Sequence, residues 1–434
     1  MPDLSIQPIT RPFAAKMSPP GSKSLTNRAL VIAALADGVS TLNNILFADD
    51  TLVMLDALAK LGYRLNIDRP GDVVQVHGAA GKVPRDSAEI FCGNSGTTIR
   101  FLTALCALGK GEFALDGIPR MRQRPIGPLV DLLRNIGSRI EYPLADGFPP
   151  VKVIADGLAG GALSFGAEQS SQFLSAVLMA SPFTRDETSV ELASHQTSWP
   201  YVSMTMRLMD EFGVTCELYR DPETQEPRRI YVPQGIYRGR EYAVEPDASN
   251  ATYFLALAAI HPGSRITITG LGKHSLQGDV AFADVLRQMG AEVTVEKHSI
   301  AIHGAGGLTG IDVDLSHMPD AAQTLAVVAL FADGPTTIRG LHTLRFKETD
   351  RLAALSTELT KLGANVAIEN DTLTIDPPKT IRPAAIDTYD DHRMAMSFAL
   401  AGTKSPGIVI KDSQCVAKTY PEFFQDLERI TNGK

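Results

Sequence analysis

Six short stretches of this 434-residue chain combine small polar side chains with glycine, carboxylates or cations. They are PPGSKSLTNR (Pro19–Arg28), CGNSGTTIR (Cys92–Arg100), EQSSQF (Glu168–Phe173), EPDASNATYF (Glu245–Phe254), HMPDAAQT (His317–Thr324) and YDDHRMAM (Tyr389–Met396). Each opens an apolar, Ala-rich run that reads as a buried helix. A helix N-terminus presents unpaired N–H groups and about half a positive charge, so it attracts anions. Ser, Asn and Asp there also read as plain N-caps. Capping gives no reason for Lys23, Arg28, Arg100 and Arg393 to join them, or for RMRQR (Arg120–Arg124) and RFKETDR (Arg345–Arg351). So many cations predict a converging site for two or more phosphate or carboxylate groups. A nucleic-acid patch is the other reading of RMRQR, but no basic stripe interleaved with aromatics accompanies it.

Other chemistries lack their residues. No GxxxxGKS/T and no GxGxxG after a strand is present, so kinase-type ATP use and dinucleotide binding have no support. GNSG (Gly93–Gly96) is not a GxSxG elbow, and HExxH is absent. The four cysteines form no CxxC pair, which suits reduced thiols and offers neither a disulfide framework nor a zinc site. His298 and His303 read as hairpin and surface residues; His392, between Asp391 and Arg393, is the one histidine that stands out.

The 41 basic and 49 acidic side chains leave a net charge of −8, which argues against a nucleic-acid or anionic-membrane binder. Charges fade beyond roughly 8 Å at physiological salt, so local clustering decides what a cleft binds. With 44% apolar and 21% charged residues the chain is an ordinary globular sequence, not a disordered one. Its strongest apolar runs, Thr324–Ala332 and Tyr253–Ile260, are about half of the roughly 18 residues a spanning helix needs. MPDLSIQPITRPF lacks the apolar region of a signal peptide. A soluble, cytoplasmic protein is expected.

One unit recurs along the chain. DALAKLGYRLNI (from Asp56), DLLRNIGSRIEY (Asp131), RLMDEFGVTCEL (Arg207), DVLRQMGAEVTV (Asp284) and ELTKLGANVAI (Glu358) each join an amphipathic helix to a strand through glycine. Gly62, Gly137, Gly213, Gly290 and Gly363 are separated by 75, 76, 77 and 73 residues. Each reads as a C′ glycine in left-handed backbone. Alternation follows, as in Val293 and Val295 then Ile300 and Ile302, which reads as a half-buried hairpin. A partial sixth copy, YPEFFQDLERI, starts at Tyr420 and has no hairpin. The extended LSIQPITRPF near the N-terminus precedes the first copy, so it is expected to complete the last.

Taken together, GSKSLTNRAL, GNSGTTIR, QRPIGPLVD, SSQFLSA, EPDASNATYF, PDAAQT, FKETDR and DHRMAM resemble the 5-enolpyruvylshikimate-3-phosphate synthase family, in order from Gly21 to AKTYP at Ala417. The resemblance implies an α/β fold: a two-domain inside-out α/β barrel of six βαβαββ repeats, three per domain. It places residues 1–21 and 242–434 in one domain and 22–241 in the other, with the active site in the cleft between them. The family transfers the enolpyruvyl group of phosphoenolpyruvate to the 5-hydroxyl of shikimate 3-phosphate by addition and elimination. No metal or organic cofactor is implied, and a monomer is expected.

By motif match, Lys23, Ser24, Arg28, Ser170, Ser171, Gln172, Ser198, Tyr201, Asp320, Thr343 and Lys347 fall to shikimate 3-phosphate. Lys23, Asn94, Gly96, Arg124, Gln172, Glu348, Arg351, Arg393 and Lys418 fall to phosphoenolpyruvate. Asp320 is the implied base at the hydroxyl and Glu348 the acid and base at the methylene, with Lys23 also catalytic. The bland readings are an N-cap for Asp320 and an i,i+3 partner of Arg351 for Glu348. Three positions depart from the family pattern: Thr343 stands where an Asn is usual, Phe101 where Pro is frequent and Ser95 where Ala is common. The last two flank Gly96, which in the family lines the pocket for phosphoenolpyruvate and its competitor glyphosate. The sister family acting on UDP-N-acetylglucosamine carries a reactive Cys in the loop matching Asp116–Arg124; this chain has none there. A non-catalytic anion-binding scaffold would not need Lys23, Asp320 and Glu348 together.

Overall fold

The computed structural model of the chain describes residues 3–166, 170–193 and 196–431; Glu168 and Gln169 of the EQSSQF segment lie outside them. The chain forms two compact units, Met1–Pro20 with Glu245–Lys434, and Gly21–Val244. The described residues hold twelve α-helices: α1 (Lys23–Leu35), α2 (Asp49–Lys60), α3 (Gly96–Ala107), α4 (Gly127–Asn135), α5 (Ser171–Ala180), α6 (Trp199–Glu211), α7 (Ala248–Ile260), α8 (Phe282–Gln288), α9 (Ala322–Ala329), α10 (Arg351–Lys361), α11 (His392–Lys404) and α12 (Phe423–Thr431).

The odd-numbered helices are the Ala-rich ones, and burial follows composition. Every residue of α7 is buried, whereas α4 buries only Leu129, Val130, Leu132 and Leu133. All five repeat glycines have φ between 92° and 111°. An L side chain would be strained there, so glycine ends each amphipathic helix and turns the chain into its hairpin.

The repeat around α3 shows the sheet pattern in full. Ser87–Phe91 pairs in parallel with Lys110–Asp116, which pairs antiparallel with Val151–Asp156, which closes a hairpin with Arg139–Glu141. The parallel neighbours need a crossover, and α3 supplies it. The same spatial order, first, second, fourth, third, recurs around α5 and α9. Because the odd-numbered helices are buried nearly all round while the strands alternate buried and exposed residues, each unit has helices inside and sheets outside. That is the inside-out α/β arrangement, with six βαβαββ repeats, three per unit.

Two strands trade places between units. Ala14–Met17 leads into α1 but pairs with Arg265–Thr269 after α7. Glu241–Ala243 leads into α7 but pairs with Val39–Asn43 after α1. The chain therefore passes between units at Pro20–Gly21 and Val244–Glu245, and residues 242–244 sit with the central unit. The last repeat is completed by Leu4–Ser5, which pairs antiparallel with Ile408–Ile410. Only the first part of LSIQPITRPF does this, since the chain then runs on to the strand beside Arg265–Thr269. No helix among the described residues is long and apolar enough to cross a membrane.

Candidate active site

In the central unit, the site is built from the starts of α1, α3, α5 and α6. Ser22 caps α1 by accepting from the Leu25 N–H at 3.5 Å. Lys23 Nζ lies 3.3 Å from Oδ2 of Asp50, in the first turn of α2, where the helix dipole favours a carboxylate. Ser24 offers its carbonyl to Arg28 at 3.0 Å. Arg28 is enclosed: it also donates to Thr205 Oγ1 on α6, Ser175 Oγ on α5 and the Tyr201 carbonyl, and lies 5.1 Å from the Phe101 ring centre. Burial pulls its pKa down to about 10, against the opposing pull of Tyr201. Arg28 is thus a clamp between α1, α5 and α6 as well as a charge.

Arg124 folds over the start of α3, donating to the Asn94 carbonyl at 2.9 Å and to Asn94 Oδ1 at 3.3 Å. A Cβ on Gly96 would meet Arg124 Nη2 at 2.6 Å, so glycine is needed for close approach. Ser95 Oγ is 2.8 Å from Thr98 Oγ1 and 3.4 Å from the Asp50 carbonyl, tying this turn to the partner of Lys23. Phe101 is buried beneath Arg28. Arg100 donates to Gln172 Oε1 at 2.6 Å and lies 4.9 Å from the Phe173 ring centre, so the Gln172 amide has a set orientation. Ser170 caps α5, accepting from the Gln172 N–H at 3.4 Å, and Ser171 is buried next to it. Ser198, before α6, holds φ 55°, a conformation that non-glycine residues keep only when surroundings impose it. Tyr201 is half-buried in the first turn of α6. RMRQR divides: Arg122 pairs with Asp116 at 2.5 Å on the surface, whereas Arg124 is buried.

The other unit holds a denser cluster. Asp320 receives Lys347 Nζ at 3.2 Å and Arg351 Nη1 at 3.1 Å on Oδ1, and Arg393 Nη2 at 3.1 Å on Oδ2. Three cations thus meet one carboxylate, and an entering anion would share those donors. Asp320 is not the N-cap of α9, a position taken by Ala321 with no side-chain bond. Glu348 Oε2 accepts from Arg351 Nη2 at 2.9 Å, so the i,i+3 pair exists. Both carboxylates therefore hang on one planar guanidinium. Burial works against the Arg351 charge, but Asp391, Glu348 and Asp320 outweigh it and hold the group protonated beyond an ordinary arginine. Burial pulls the Lys347 ammonium below its ordinary value, with Asp320 and Glu348 opposing and Arg351 adding to the effect. Arg393 also donates to the Tyr253 hydroxyl at 3.3 Å.

Lys418, at the end of a 3-10 turn packed on α11, is buried. Thr343 lies in the 3-10 turn His342–Phe346 that leads into Lys347, and its enclosed Oγ1 has no hydrogen-bond partner among the described residues. The His392 ring is buried with Nδ1 3.7 Å from Asp391 Oδ1, too far for a hydrogen bond.

This ordered set of helix starts is matched along nearly the whole length by the EPSP synthase (3-phosphoshikimate 1-carboxyvinyltransferase) family model, over residues 8–427. The chain belongs to the EPSP synthase family. It is 45% identical to the 3-phosphoshikimate 1-carboxyvinyltransferase of Aliivibrio salmonicida (strain LFI1238), over 99% of this chain and all of that one. It is likewise 45% identical to the enzyme of that name from Sulfurovum sp. (strain NBC37-1), over the full length of both. The solved EPSP synthase of Acinetobacter baumannii superposes with a TM-score of 0.81 at 26% identity, covering 98% of this chain and 97% of that one. The enolpyruvyl transferase NikO from Streptomyces tendae shares the fold, with a TM-score of 0.75 at 19% identity over 99% and 97% of the two chains.

For this EPSP synthase family member the sequence reading missed two carboxylates. Asp50 faces Lys23, yet its only local signal, an acidic first turn, is ordinary for any helix. Asp391 is fully buried and takes Arg351 Nε at 2.7 Å, yet in sequence it reads only as the cap of α11. The residues each meets lie 27 and 40 positions away, and no local pattern reveals such pairs.

Proposed function

We propose that this chain transfers the enolpyruvyl group of phosphoenolpyruvate to the 5-hydroxyl of shikimate 3-phosphate, giving 5-enolpyruvylshikimate 3-phosphate and phosphate on the route to chorismate and the aromatic amino acids. The observation that carries the reading is Arg351 holding Asp320 and Glu348 on adjacent donors. A guanidinium fork is rigid, so the two carboxylates keep a set separation, as an acid and a base acting on neighbouring atoms require.

In the addition step Asp320 takes the hydroxyl proton while the oxygen bonds to C2 of the enolpyruvyl group, and Glu348 gives a proton to the methylene C3. In the elimination Glu348 recovers a proton from the new methyl group, the C2–O bond to phosphate breaks, and the electron pair leaves on phosphate. The hydroxyl proton leaves with phosphate in the net balance. Lys23, Arg124, Arg351, Arg393 and Lys418 neutralise the phosphate and carboxylate of phosphoenolpyruvate, beside Asn94 and Gly96. Ser24, Arg28, Ser170, Ser171, Ser198, Tyr201, Thr343 and Lys347 hold shikimate 3-phosphate, with Gln172 serving both. Oriented charges of this kind are worth several kcal/mol where water is excluded.

These groups stand on both units, so the reading requires the active site to lie in the cleft between them and to close on its ligands. It also has the enzyme working as a cytoplasmic monomer, with glyphosate competing at the phosphoenolpyruvate side. Phosphate release, measured with phosphoenolpyruvate and either shikimate 3-phosphate or UDP-N-acetylglucosamine, tests the acceptor; release with the second alone would sink the proposal. Small-angle scattering with both ligands should show a more compact particle, and an unchanged profile would count against closure.

A further inference from the structure

The orientation of Arg351 traces to a residue outside the assigned site. Asp391 takes Arg351 Nε at 2.7 Å and Nη2 at 3.2 Å, and accepts from the Arg393 backbone N–H at 2.9 Å. It thereby orients the Arg351 guanidinium and caps the helix turn that carries Arg393. The two residues before Asp391, Tyr389 and Asp390, have φ of 57° and 55°. Neither is glycine, and such residues avoid this backbone unless their neighbours hold them in it.

Glu358 is the neighbour that does so. It sits two turns after Arg351 on α10 and is 0% exposed. Its Oε1 accepts from the Tyr389 hydroxyl at 2.6 Å and Lys361 Nζ at 2.9 Å, and its Oε2 from the Asp387 N–H at 3.2 Å. Lys361 and Lys411 then hold the Asp387 carboxylate at 2.6 and 3.0 Å. Packing alone calls for an apolar side chain here, beside the buried Leu355 and Leu359. A buried carboxylate is retained only where its bonds offset desolvation.

We propose that Glu358 is a positioning residue for the phosphoenolpyruvate side of the site. It braces the Asp387–Asp390 turn against α10, so that Asp391 meets Arg351 and sets its guanidinium plane. The inference rests on the assignment of Arg351 to phosphoenolpyruvate.

Steady-state kinetics and thermal unfolding of four variants test it. Arg351→Lys checks the underlying assignment, and Glu358→Gln removes the charge with little change of shape. Glu358→Gln combined with Asp390→Gly gives the turn a residue that adopts left-handed backbone freely. Tyr389→Phe keeps the carboxylate and removes one donor, which covers the case in which Glu358→Gln does not fold. The expected result for Glu358→Gln is a KM for phosphoenolpyruvate raised about tenfold, with the KM for shikimate 3-phosphate within about twofold, as for loss of an outer-shell partner. Tyr389→Phe should give a smaller rise of the same selectivity, and Asp390→Gly should recover part of the loss. An unchanged phosphoenolpyruvate KM in Arg351→Lys would show that the site assignment fails. If Arg351→Lys raises it but neither Glu358→Gln nor Tyr389→Phe does, the proposal is overturned. Equal rises in both KM values with a lowered unfolding temperature, or no recovery on Asp390→Gly, overturn it as well.

Discussion

Arg124 crosses the start of α3 so closely that a Cβ on Gly96 would sit 2.6 Å from its Nη2. The obstructing atom is the far end of a flexible side chain, so Gly96→Ala should fold and displace the guanidinium from Asn94. We expect the KM for phosphoenolpyruvate to rise roughly tenfold, or about 1.4 kcal/mol, with the unfolding temperature nearly unchanged. Kinetics and calorimetry on the same preparation check both halves.

Asp320→Asn and Glu348→Gln each remove a proton-transfer group while keeping its shape. Each should lower kcat by about 10²–10⁴-fold in a phosphate-release assay. Because both side chains bond Arg351, the double variant should lose far less than the product of the two single losses. Normal turnover by Glu348→Gln would falsify its role at the methylene.

Arg28 and Lys23 should separate stability from catalysis. Arg28→Met removes the guanidinium donors to the Thr205 and Ser175 hydroxyls and to the Ser24 and Tyr201 carbonyls, and should cost about 1–3 kcal/mol of stability. Lys23→Met removes a partly exposed ammonium and should abolish turnover with a much smaller change in denaturant midpoint.

Lys347 gives a pH dependence. Its folded-state pKa lies below the ordinary 10.5, chiefly through burial. Between those two values the unfolded chain binds more protons, so the group's full cost to stability is present below the folded-state pKa and disappears as pH rises from there to the unfolded value of 10.5. Binding of shikimate 3-phosphate, which uses the charged form, should weaken over the same window. Lys347→Arg should move that alkaline limb upward in a titration of affinity against pH.

Much of the architecture was legible along the chain because its signals are local. A C′ glycine answers to the backbone of one turn, and Gly62, Gly137, Gly213, Gly290 and Gly363 all took the left-handed conformation their spacing predicted. The polar helix starts were legible for the same reason: an N-cap and the donors it leaves open lie within three residues. The fate of individual charges was not. Arg122 and Arg124 stand two apart in one basic run, yet one pairs with Asp116 at the surface and the other lies over Gly96.

The sequence by itself determined the six-fold repeat, the helix types and the cationic helix starts, since each depends on periodicity or on side chains within a turn of one another. Only the tertiary structure decided where Ala14–Met17 and Glu241–Ala243 pair, which carboxylate faces Lys23, and that Asp391 meets Arg351 while Glu358 meets Tyr389. Strand pairing and buried ion pairs join residues tens to hundreds of positions apart. Their energies depend on distance and desolvation in the folded chain, which no stretch of sequence encodes alone.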